Sequence, residues 1–146
     1  MNIFHEIDDC KYLYLEDLSE PEENAFKVVV LEAATGIVAK PGDNAPLTNV
    51  SPIEHTQGCR VFEITWSSYI AYSVRNESYA QNGDDKFEGR LFRYYSKSHF
   101  LDYVASATLA TSDYPGPFRH WSIACLNHVI DVVSQVEPAM RVRIAG

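Results

Sequence analysis

The chain has 146 residues, 46% hydrophobic and 22% charged, with a formal net charge of −8; this is the size of one domain with one core, and the composition excludes disordered and fibrous classes. No apolar run approaches the roughly 20 residues of a bilayer-spanning helix, and the opening MNIFHEIDDC has neither a basic nor an apolar leader region, so a cytoplasmic protein is expected. Three widely spaced cysteines, Cys10, Cys59 and Cys125, fit reduced thiols in a reducing compartment better than a disulfide framework.

Taken in chain order, residues 1–24 form an acidic segment with eight acids (Glu6, Asp8, Asp9, Glu16, Asp17, Glu20, Glu22, Glu23) against Lys11, whereas the remaining chain carries twelve acids against eleven bases. Within it, Cys10 to Leu18 is admitted as an N-terminal helix. Phe26 to Glu32 has a Val-rich centre and reads as a strand. Residues 36–58 hold three Pro, two Asn and little periodicity, and read as a long loop.

Arg60 to Trp66 alternates Phe62, Ile64 and Trp66 against Val61, Glu63 and Thr65, and Tyr69 to Arg75 continues after Ser67-Ser68; the two are expected to pair as a hairpin. Phe87 to Tyr95 is read as one further strand. Phe100, Tyr103, Val104 and Ala107 then recur at helical spacing, with Ser96 as the expected cap. Residues 119–135 suit either a helix or strands by periodicity; the β-branched run Val-Ile-Asp-Val-Val and the Leu126-Asn127-His128 turn favour a hairpin of 119–125 with 129–135. Met140 to Ile144 reads as a last strand. The fold class is α+β: a single domain, 1–146, with a mainly antiparallel twisted sheet and one or two helices packed against it.

Standard chemical motifs are absent: the sequence holds no Gly-x-x-x-x-Gly-Lys, Gly-x-Gly-x-x-Gly or Gly-x-Ser-x-Gly pattern. Cys125-x-x-His128, with His5 and Cys10, offers zinc-ligand residue types without a second tight pair, so no metal and no cofactor is assigned. The densest polar group joins Arg75, Asn76, Glu77 and Tyr79 with Asn127, His128 and Asp131. His128, Asp131 and Glu77 are the candidates for a general base and its orienting carboxylate, while Arg75, Asn76, Tyr72 and Asn127 are the candidates for ligand contacts. His99 and His120 are further titratable groups nearby. The ordinary roles of these residue types at turns and strand ends outweigh catalysis.

The expected function is therefore a non-catalytic protein-binding module that recognises a basic partner, with the acidic segment steering association and exposed Tyr and Trp as anchors. In physical character alone this resembles small acidic α+β domains that neutralise a basic toxin; no motif is shared. Nucleic acid and anionic membrane are disfavoured as partners. The alternative is a small enzyme or small-molecule binder with a pocket near Arg75, Glu77, His128 and Asp131, and a homodimer through an open sheet edge is also compatible.

Overall fold

The structure, a computed structural model, describes residues 4–35, 53–54, 58–81 and 83–145. Most of the expected 36–58 loop lies outside the described residues. In chain order the elements are α1 (Phe4–Asp8), β1 (Tyr12–Ser19), β2 (Phe26–Thr35), β3 (Ile53–Glu54), β4 (Arg60–Trp66), β5 (Ala71–Asn76), a 3-10 turn (Glu77–Tyr79), β6 (Lys86–Glu88), β7 (Phe92–Lys97), α2 (His99–Ala107), β8 (Arg119–Ala124), β9 (His128–Ser134) and β10 (Ala139–Ile144).

The strands make two antiparallel five-stranded sheets. The first runs β1-β2-β4-β10, with β3 on the end of β2; the second runs β5-β9-β8-β7-β6. The expected α+β class holds, with two sheets in place of one. Phe26, Val28, Val30, Phe62, Ile64 and Trp66 from the first sheet share one core with Phe92, Trp121, Ile123, Ile130 and Val132 from the second. Trp66 joins the sheets, its ring centroid 6.1 Å from that of Trp121 and 6.4 Å from that of Phe92. Full burial of such rings supplies the largest single increments of apolar stabilisation in a core.

Three sequence expectations are corrected. Residues 10–18 are not a helix: β1 pairs with β2 along its length, and a bulge between Leu15 and Asp17 sets Leu15 and Leu18 three residues apart on the core side, which imitates helical spacing. The strands expected as a 60–66/69–75 hairpin both form, but β4 pairs with β2 and β10 while β5 pairs with β9. Ser67-Ser68 lacks a residue suited to positive φ, and the chain crosses between sheets instead. Tyr69 N bonds Asn24 O at 2.9 Å, Ile70 N bonds Val133 O at 2.8 Å, and Ser134 Oγ donates to Ser68 O, fixing the crossover.

Phe87 to Tyr95 is broken into β6 and β7 at Gly89. Its φ of 94° lies in the left-handed region, and a Cβ there would collide with the Phe92 carbonyl oxygen. Asp8 completes this turn by accepting from the backbone N–H groups of Leu91 and Phe92, both at 2.8 Å. By contrast, the 119–135 hairpin forms as β8 with β9, and the last strand forms as β10 against β4.

Candidate functional site

Strand alternation sends Ile130 and Val132 of β9, and Trp121 and Ile123 of β8, into the core. Val129, Asp131, His120, Ser122 and Ala124 therefore face the opposite side of the second sheet, where α2 lies across β8 and β9. The helix begins at Ser98, not Ser96: Ser98 is extended (φ −159°), and its hydroxyl accepts from Leu101 N at 3.0 Å.

The same hydroxyl lies 2.8 Å from His120 Nδ1, and His120 Nε2 lies 2.8 Å from Asp131 Oδ1. A carboxylate only accepts, so Nε2 carries a hydrogen toward Asp131. Arg75 donates from Nε to Asp131 Oδ2 at 3.2 Å, and its Nη2 stands 3.1 Å from the same oxygen. Tyr95 stacks on the His120 ring at 4.0 Å, and Phe100 meets it edge-on. The side chains of His120 and Asp131 are 2% and 3% exposed.

Ser98, His120 and Asp131 thus form a chain with the composition of a nucleophilic triad, but each member already has a structural task. Ser98 is 1% exposed, caps α2 and is not among the residues lining the neighbouring cavity. The chain ties the helix start to two strands of the sheet, and α2 itself contributes only Val104 as a fully buried residue.

Two of the cavities among the described residues open on this side. One, of about 360 Å³, has Ser73, Arg75, His120 and Asp131 against Phe100 and Tyr103 of α2. The other, of about 300 Å³, has Leu13, Leu91, Ala124, Leu126 and Val129 as its apolar lining, with Arg75, Arg93 and Glu77 as its charged groups. Arg75 and Gln81 belong to both.

The residues singled out from sequence are distributed as follows. Arg75 and Asp131 meet directly, and Glu77 shares the apolar cavity with Arg75. His128 joins none of them: it shares the parity of Ile130 and Val132, opposite to Asp131, lines neither cavity, and has a buried Nδ1 without a partner among the described residues. The pairing of His128 with Glu77 or Asp131 is therefore not made; His120 occupies that place. Asn76 caps the 3-10 turn by accepting from Ser78 N. Tyr72 stacks on Phe26 at 4.0 Å and donates to Glu20 at 2.8 Å. Asn127 accepts from Leu15 N and donates to Leu15 O, locking the β8–β9 turn onto β1.

The zinc-type residues are not assembled either. Among the described residues, His5, Cys10, Cys125 and His128 do not bring three ligand atoms within the span of one ion. Among the described residues, the cluster able to surround one ion is Asp84, Asp85 and His99. Its contacts already have a local purpose, since Asp85 accepts from His99 N at 3.0 Å at the start of α2.

The acidic segment divides into two sets. Asp8 and Glu20 are taken up internally, by backbone N–H groups in the first case and by the hydroxyls of Tyr69 and Tyr72 in the second. Glu6 stands 3.9 Å from Arg60. Asp9, Glu16, Asp17, Glu22 and Glu23 are exposed and belong to no ion pair among the described residues. Arg60 is held by Glu32 at 2.9 Å, which lowers the Glu32 carboxyl below its usual range, and Lys27 is held by Glu63 at 2.9 Å. No helix among the described residues is long and apolar enough to cross a membrane.

Comparison with protein-family models, curated proteins and solved structures finds no match to this chain.

Proposed function

We propose that this protein is a non-catalytic binding domain that recognises a basic protein partner through the carboxylates of its N-terminal segment. The supporting observation is the exposed set Asp9, Glu16, Asp17, Glu22 and Glu23, while Lys27 and Arg60 on the adjoining strands are already paired. Uncompensated charge of one sign accelerates encounter with an opposite surface and weakens as salt screens it. Exposed tyrosines, including Tyr79 and Tyr114, are available as contact anchors. Trp66 and Trp121 are buried in the core and are not.

The buried Ser98–His120–Asp131 chain supports a binding role over a catalytic one, because its hydroxyl is enclosed and already caps a helix. The test is the fourfold variant Glu16→Gln, Asp17→Asn, Glu22→Gln, Glu23→Gln. Its association with the partner should slow by about tenfold or more at low salt and lose most of its salt dependence, as charge-steered encounters do. Unchanged rate and salt dependence reject the proposal. A small-molecule role is a second reading, favoured by the convergence of Arg75, His120 and Asp131 on one cavity.

A further inference from the structure

The apolar cavity differs in composition from the acidic N-terminal segment. Leu13, Leu91, Ala124, Leu126 and Val129 supply an apolar lining, and Arg75 and Arg93 outnumber Glu77 among its charged groups. This is the usual form of a small-molecule site: a mostly apolar concavity with a few polar groups that fix one end of the ligand.

Arg75 carries the argument further. A guanidinium has five N–H donors in a planar fork. In Arg75, Nε and Nη2 face Asp131, and Nη1 donates to Gln81 O at 3.3 Å. Those contacts use three N–H groups and hold the guanidinium in one orientation, leaving two N–H groups among the described residues. With the side chain 39% exposed, they are reachable from solvent. Asp131 thus fixes a donor in advance of a ligand, which reduces the ordering cost of binding.

We propose that this cavity binds a small amphipathic carboxylate, its apolar body on Leu91, Ala124 and Val129 and its carboxylate on the Arg75 guanidinium. At about 30 Å³ per water-sized atom, a volume of about 300 Å³ takes a ligand on the order of ten non-hydrogen atoms. The site is separate from the exposed carboxylates assigned to partner recognition, so either assignment stands or falls without the other.

Octanoate has the required size and chemistry; octan-1-ol keeps the chain without the charge, and acetate keeps the charge without the chain. The experiment is a titration of the isotope-labelled full chain with each probe at neutral pH, followed by amide shifts. Octanoate should give saturable shifts centred on Leu91, Ala124, Leu126 and Val129, with octanol binding about tenfold more weakly, the scale of one lost charge-assisted hydrogen bond, and acetate showing no saturation. Arg75→Gln should bring octanoate down to the affinity of octanol. Should that variant unfold, the octanoate-to-octanol ratio in the unaltered protein still decides the matter. Equal binding of octanoate and octanol, shifts scattered away from the cavity, or no saturation by octanoate at millimolar concentration each overturns the proposal.

Discussion

His120 Nε2 lies 2.8 Å from Asp131 Oδ1 on the face of the second sheet that carries α2, with both side chains almost fully buried. Replacing Asp131 by Ala would strand the imidazole N–H and the Arg75 guanidinium without their shared acceptor. A buried donor left without an acceptor costs about 1–3 kcal/mol, and urea unfolding of Asp131→Ala should show a loss on that scale. Ser98→Ala should cost about 1 kcal/mol as a lost helix cap. Combined with His120→Ala in a double-mutant cycle, it should reveal a coupling above about 0.5 kcal/mol; strict additivity would mean that the hydroxyl and imidazole do not act together.

Gly89 and Gly58 provide a controlled comparison. Both have positive φ, 94° and 91°, so alanine at either position meets the left-handed penalty of about 1–2 kcal/mol. Of the two, only at Gly89 would the added carbon collide with a backbone carbonyl, whereas at Gly58 no atom of the described residues beyond its chain neighbours lies within 4 Å of it. Thermal unfolding should therefore place Gly89→Ala clearly below Gly58→Ala. Equal losses would contradict the proposed reason for the break between β6 and β7.

Burial raises the Cys10 and Cys125 thiols to about 12, so both remain protonated in the folded protein at pH 8. Iodoacetamide should modify Cys59 first and reach the other two only on unfolding, as read by mass spectrometry of peptides. A raised thiol pKa adds stability that is complete below the ordinary thiol value and is lost as pH rises through the folded value. Unfolding midpoints should accordingly fall between pH 9 and pH 12, and fall less in Cys125→Ala than in the unaltered protein.

Glu32 has the opposite sign. Its hydrogen bonds from Arg60 lower its pKa, so its contribution is present at neutral pH and is lost as pH falls below the ordinary carboxylate range. In Glu32→Gln, the acid side of the stability profile should be shallower than in the unaltered protein. Equal slopes would mean that the pair does not stabilise the folded state.

The hairpin of β8 and β9 was legible because its β-branched run reports a local preference that tertiary structure did not override; Asn127 lies in the turn, but its side chain is engaged by Leu15 of β1. The misread elements have identifiable causes. A bulge at Glu16 turned a period of two into an apparent period of three, and a sheet-to-sheet crossover at Ser67-Ser68 looked like a short loop.

The site was partly within reach of the sequence. With Cys125 to Asn127 as the turn, Ser122 pairs with Asp131 and His120 with Val133, which makes His120 and Asp131 diagonal neighbours on one face. His128, three residues before Asp131 on the same strand, falls on the other face. Ser98 is brought to His120 by the docking of α2 across the sheet, a long-range event to which no local pattern points.

The central claim is recognition of a basic partner by the exposed N-terminal carboxylates, and its most direct measurement is capture of partners from native cell extract by the tagged protein and by the fourfold Glu16, Asp17, Glu22, Glu23 neutralised variant, at low and at high salt. The account predicts a stoichiometric basic protein retained by the unaltered chain at low salt, released at high salt and much reduced on the variant. Equal retention by both chains, a partner that is not basic, or no stoichiometric partner at all would contradict it.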